Sequence, residues 1–208
     1  MTLIQFGERA LVVAAGLAAW FWTQSLIGRR RLKEGVIGDR VHNWTEPWND
    51  WLQERPRVTN GILIVSSACV DAFAFFLILS GIFGSTWRPF IALLLLFIFR
   101  QVCQALCALP TPPKMIWRHP GFPSLLVTYG VSNDFFISGH TAVAVLGAIE
   151  VFRQFPLWAG IAAGVVALLE AVMVIVLRAH YTMDVLGALT AAFCAAVFAS
   201  RLCAAFGI

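Results

Sequence analysis

The chain has 208 residues, 60% hydrophobic and 12% charged, with a net charge of +4 and a mean hydropathy of +0.80. Soluble domains are nearer half apolar and about a quarter charged, so this composition belongs in lipid and excludes an ordinary soluble enzyme. The modest basic excess comes with no basic–aromatic strip, which excludes a nucleic-acid partner and reports topology or lipid-phosphate contact instead.

A spanning helix needs roughly 20 apolar residues. The first candidate covers about residues 11–27. Arg29-Arg30-Arg31 follow it rather than precede it, the wrong polarity for a cleaved signal peptide, so it reads as an uncleaved anchor. A polar connection, about 28–60, carries Trp44, Trp48 and Trp51. Tryptophan favours the membrane–water interface, so part of this segment is expected on the bilayer surface. The second span covers about 61–83 and the third about 88–109, stopped by Pro110, Pro112 and Pro113 because proline cannot continue a helix. A proline-containing loop, about 111–135, follows, with Pro120-Gly121-Phe122-Pro123 as a turn or re-entrant element. The fourth span, about 138–152, is short and capped by Ser138. The fifth covers about 157–177 and the sixth about 181–203. The expected fold class is all-α: an integral membrane bundle of six transmembrane helices in one domain, 1–208. Residues 1–60 supply the first span and interfacial connection, and 61–208 a five-span body. Five cysteines lie inside apolar runs, which points to buried small apolar residues and no disulfide framework.

Counting spans puts His140, after span three, and His180, after span five, on one membrane side. That side carries Arg29, Arg30, Arg31, Lys33, Arg40, Arg55, Arg57, Lys114, Arg118 and Arg178, against Arg9, Arg88, Arg153 and Arg201 on the other. Positive-inside reasoning makes the histidine side cytoplasmic. His180 and Asp184 are four apart at a helix head and share a face. An aspartate beside a histidine holds one tautomer and stabilises the imidazolium, which suits a nucleophile. Ser138-Gly139 places His140 at a helix N-terminus, where backbone N–H groups favour an anion. Asp71, Arg100 and Glu170 lie inside spans, at depths of roughly 10–15 Å for a ~1.5 Å rise. Buried charges of this kind face a cavity or one another. Two readings stay open: a structural layer bridged by Arg100, or the floor of a head-group pocket.

Ser138-Gly139-His140-Thr141 followed by His180-Tyr181-Thr182-Met183-Asp184 resembles the two C-terminal motifs of the type-2 phosphatidic acid phosphatase superfamily. Within it, the pattern resembles the sphingomyelin synthase branch. Asp134 keeps that branch's spacing before the Ser-Gly-His, although Ser132-Asn133 replace its Cys-Gly. Arg100 with Leu109-Pro110 resembles its third-span motif. Plant phosphatidylcholine:diacylglycerol cholinephosphotransferases are similar as well, including a Phe-Pro such as Phe122-Pro123. The superfamily's phosphatase motif, a lysine, six residues and Arg-Pro, is missing, and Val174 stands where an arginine is usual six residues before the second histidine. Fewer guanidinium groups suit a singly charged phosphodiester better than a dianionic monoester.

The resemblance implies a PAP2-like bundle that transfers a lipid head group. His180 would attack phosphorus, Asp184 would support the developing charge, and His140 would serve as acid and base. Ser138, Gly139, Asp134, Arg178, Arg100, Glu170 and Asp71 are the candidate substrate-binding residues. No metal or other cofactor is required. The implied partners are a phospholipid donor, a lipid-alcohol acceptor (ceramide or diacylglycerol) and the bilayer, with room for an oligomer. The implied location is a bacterial inner membrane or an ER/Golgi-type membrane. Two other readings stand beside this one: a lipid phosphate or pyrophosphate phosphatase, and a non-catalytic lipid-binding membrane protein.

Overall fold

A computed structural model describes residues 2–29, 35–124, 127, 129 and 135–207. Asp134, Arg30, Arg31 and Lys33, all named above, lie outside them. The described residues form helices and connecting loops. In chain order the helices are α1 (Leu3–Gly28), α2 (Arg40–Trp44), α3 (Glu46–Gln53), α4 (Pro56–Phe83), α5 (Arg88–Leu106), α6 (Gly139–Gln154), α7 (Leu157–Val176) and α8 (Thr182–Phe206).

Five of these, α1, α4, α5, α7 and α8, are long and apolar enough to cross a membrane. The chain is a helical membrane protein, and its surface says so. Phe75, Leu79, Ile98, Phe99, Leu168 and Phe198 all point outward, an apolar belt that water would penalise. The fourth expected span is the exception. At 16 residues, α6 is only ~24 Å long, short of the ~30 Å hydrocarbon core. It is also the most enclosed helix, with every residue from His140 to Ala148 buried. It packs on α4, α5, α7 and α8. Lipid tails give helices no hydrophobic reason to associate, so close packing of small side chains must do it. α8 turns Ala188, Ala191, Ala192, Ala195, Ala196 and Ala199 inward. Gly147 lies so close to Phe73 of α4 that a Cβ there would overlap the ring.

Several boundaries differ from the sequence expectation. α5 ends at Leu106 because Cys107 is already extended (φ −122°, ψ 122°), so the prolines follow the break instead of making it. α4 begins earlier, with Pro56 in its first turn, where proline's missing N–H costs nothing. Among the cysteines Cys203 is buried, whereas Cys107 and Cys194 are exposed; in a bundle, an apolar run has a lipid-facing side too.

The end of α6 away from His140 carries a charge cluster that composition alone does not reveal. Glu150 is fully buried. Its carboxylate takes Arg88 Nη2 at 2.8 Å and Arg153 Nη1 at 2.9 Å, clamping the start of α5 to the end of α6. Removing one partner of a buried pair leaves the other uncompensated. Glu150→Ala is expected to cost about 3 kcal/mol, the low end of the range because both arginines are partly exposed. Thermal unfolding in a fixed detergent checks this, and specific activity per folded molecule should not change.

Candidate active site

The loop before α6 and the loop after α7 carry the two histidine motifs, and backbone groups stitch them together. The Ser138 N–H donates to the Asp184 carbonyl at 3.2 Å. The His180 ring reaches the Phe135 carbonyl through Nδ1 at 2.9 Å. A carbonyl only accepts, so Nδ1 carries the proton and Nε2 of the neutral ring carries the lone pair. The orienting group is therefore a backbone carbonyl, not Asp184. The Asp184 Oδ2 stands 3.9 Å from Nδ1, too far to hydrogen-bond. It accepts the Tyr181 N–H at 2.9 Å instead, satisfying an N-terminal donor of α8 while keeping a carboxylate beside the ring.

Two non-glycine residues with positive φ precede the histidines. Ile137 has φ 64° and Arg178 φ 56°; the left-handed region costs an L-residue roughly 1–2 kcal/mol. At Ile137 the reversal sends one carbonyl to Arg100 Nε at 3.0 Å and lets the next N–H turn to Asp184. At Arg178 it ends α7. The Ala179 N–H bonds the Val174 carbonyl and the Arg178 N–H that of Ile175, each at 2.9 Å. This is the termination for which helices normally use glycine. The Arg178 side chain helps offset the strain, donating to Pro113 O at 3.3 Å and His42 O at 3.0 Å.

A cavity of about 50 Å³ lies between the motifs, lined by Arg100, Gly139, His140, His180, Gln24 and Trp117 among others. His140 is 7% exposed. Its ring meets Trp117 edge-on at 4.9 Å, and its Nε2 has no hydrogen-bond partner among the described residues. The Arg100 guanidinium lies against the first turn of α6; a Cβ on Gly139 would sit 3.4 Å from its Nε. Its Nη1 also donates to Gln24 Oε1 of α1 at 3.3 Å. A cation and a helix N-terminus thus flank two imidazoles, an arrangement suited to an anionic phosphoryl group. Among the described residues no three His, Cys, Asp or Glu side chains gather as metal ligands do.

Several sequence-designated residues do other work. Ser138 is buried, and its hydroxyl caps α6 by accepting from the Thr141 N–H at 3.3 Å. Arg178 does not line the cavity. Neither do Glu170 and Asp71; Glu170 accepts from Ser66 Oγ at 2.7 Å, linking α4 to α7. Other contributors escaped the sequence reading. Gln24 and Trp117 carry no motif and arrive only through packing. Asp39 and His42 sit in the polar connection, yet both grip the His180 loop. Asp39 takes the Thr182 N–H at 2.7 Å and its hydroxyl at 2.9 Å. Burial raises the Asp39 pKa, but these bonds and the neighbouring His42 outweigh it and hold the carboxyl below its ordinary value. Burial pushes His42 below its ordinary value, against the opposing pull of the His180 carbonyl and Asp39.

Residues 39–201 match the AtPDCT1/2 family. The chain belongs to this family, that of Arabidopsis phosphatidylcholine:diacylglycerol cholinephosphotransferase. Of the two branches its motifs resemble, the match falls on the diacylglycerol one. No curated protein and no solved structure matches the chain.

The cap at Asp184 yields a test separable from chemistry. Asp184→Ala leaves the Tyr181 N–H unsatisfied and is expected to lower stability by about 1–2 kcal/mol. Asp184→Asn keeps an acceptor oxygen and should lose clearly less. Thermal unfolding of the two variants side by side reads the difference.

Proposed function

We propose that this chain is a membrane cholinephosphotransferase that moves phosphocholine from phosphatidylcholine to a lipid alcohol, diacylglycerol, through a phosphohistidine on His180. The observation that carries this reading is the pairing in one cavity of His180, its Nδ1 held by the Phe135 carbonyl, with the unpartnered Nε2 of His140. Family membership supports the donor and acceptor classes. The two-histidine arrangement is the reason to place the bundle with the type-2 phosphatidic acid phosphatases.

In the first step His180 Nε2 attacks phosphorus and the bond from phosphorus to the glycerol oxygen breaks. Protonated His140 gives its proton to that oxygen, and diacylglycerol leaves. In the second step an acceptor hydroxyl gives its proton to His140, its oxygen attacks phosphorus, and the N–P bond breaks to restore His180. When both alcohols are diacylglycerols, the result is exchange of backbones beneath one head group. Arg100 and the first N–H groups of α6 face the non-bridging oxygens, whose charge they stabilise in a dry site. The Asp184 carboxylate, 3.9 Å from the ring, favours the cationic form that His180 passes through. A phosphatase would gather more positive charge for a dianion; Arg178, the other candidate guanidinium, is turned to backbone carbonyls.

The test uses purified protein in phosphatidylcholine vesicles with labelled diacylglycerol. Label should pass into phosphatidylcholine, and His180→Ala should reduce transfer to background. His140→Ala should slow it by about 10²–10⁴-fold, the usual contribution of a positioned acid–base. Choline-labelled donor without acceptor should leave acid-labile label on the wild-type chain and none on His180→Ala. Unreduced transfer in His180→Ala overturns the nucleophile assignment. Release of free phosphocholine or phosphate without transfer overturns the transferase reading, and transfer to ceramide but not diacylglycerol would reassign the acceptor.

A further inference from the structure

The segment between α1 and α4 has two faces with different tasks. Trp44 ends α2, and Trp48 and Trp51 lie three apart on one side of α3. They are 73%, 62% and 46% exposed. The Arg55 guanidinium lies over the Trp51 ring at 4.5 Å. On the opposite side His42, Asn49 and Leu52 are buried.

That buried side is fastened to the loop carrying His180. Asp39 caps α2, accepting from the Val41 N–H at 2.9 Å, and the same carboxylate holds Thr182 through backbone and hydroxyl. His42 Nε2 bonds the carbonyl of His180 itself at 3.0 Å, and its ring stacks on Tyr181 with centroids 5.7 Å apart. Arg178 returns a bond to the His42 carbonyl. Asn49 Nδ2 donates to the Val176 carbonyl at 2.8 Å, at the end of α7. Apart from the Asp39–Val41 cap, each of these bonds reaches a residue within 176–182, and neither Asp39 nor His42 lines the cavity. They act on the chemistry only through where they hold the His180 backbone.

We propose that α2–α3 is an interfacial strap: its tryptophan face seats in the head-group layer of the bilayer that the long helices span, and its inner face transmits that seating to His180. The occupant of the outer face is lipid because the chain already carries five membrane-length apolar helices. An exposed indole row flanked by Arg55 and Arg57 is the composition of an interface anchor. The consequence for catalysis is positional. The loop is strained at Arg178 and tied from outside, so loosening the strap lets the nucleophile drift. Asp39 and His42 are positioning residues. This inference rests on His180 being the nucleophile, but its structural half does not depend on activity.

The experiment compares wild type, the Trp44→Gln/Trp48→Gln/Trp51→Gln variant, Asp39→Asn and the combined quadruple variant, all in phosphatidylcholine nanodiscs. Hydrogen exchange is read over residues 176–183, alongside transfer kinetics and the thermal midpoint. The strap predicts faster exchange confined to that loop in the triple variant and in Asp39→Asn, with the midpoint nearly unchanged. It predicts a kcat lower by about tenfold to a hundredfold at unaltered KM, the scale of a roughly 1 Å misplacement. The quadruple variant should be no worse than Asp39→Asn, because effects through one linkage do not add. Unchanged loop exchange in the triple variant, or fully additive losses, overturns the strap. If the loop loosens as expected while even wild type shows no transfer, the strap stands and the transferase reading fails.

Discussion

Everything at this site depends on one constraint: inside an apolar bundle, backbone groups that leave a helix must find partners within the protein. The His180 ring and the Phe135 carbonyl are such a pair, as are the Ser138 N–H and the Asp184 carbonyl. Each satisfies a group that lipid would leave bare, and together they bring α6 and α8 to a fixed register. The same bonds choose the tautomer of His180. A change that loosens the loop before α6 therefore acts on the fold and on the orientation of the His180 ring at once.

The backbone around the cavity is not relaxed. Ile137 is β-branched and Arg178 is long, yet both adopt a conformation natural to glycine. Such strain persists only where surrounding contacts over-determine it. Arg100 holds the carbonyl of Ile137, and His42 and Pro113 hold the side chain of Arg178. Charges that the sequence offers as phosphate ligands are thus divided. Arg100 both braces the backbone and faces the cavity, while Arg178 braces alone. Among the described residues one guanidinium, that of Arg100, lines the cavity beside a helix end.

The helical class, the membrane setting and most helix limits were legible along the chain, because apolar runs bounded by Gly, Pro and charges are local facts. The Ser138 cap was legible for the same reason. The short run at about 138–152 matches α6 (Gly139–Gln154); that α4, α5, α7 and α8 all pack on it was not legible along the chain. Glu150 escaped notice because its partners Arg88 and Arg153 arrive from another helix and from the next turn. Asp71 and Glu170 shared an estimated depth with Arg100, but depth is one coordinate. Rotation about each helix axis decides the neighbours, and it turned Glu170 to Ser66 instead of the cavity.

The sequence by itself determined that this is a helical membrane protein with two histidine motifs. That both motifs meet at one cavity is decided by the tertiary structure, because His140 and His180 line it together, one from α6 and one from the loop after α7. Only the tertiary structure decided what orients His180. From the sequence, the aspartate four residues on was the natural partner; in the fold a carbonyl 45 residues away takes the ring nitrogen, and Asp184 caps its helix. The tertiary structure also drew Asp39, His42 and Gln24 toward the site from the first fifty residues, where no motif marks them. Hydrogen bonds between distant segments depend on how helices rotate and pack against one another, and no local pattern records that angle.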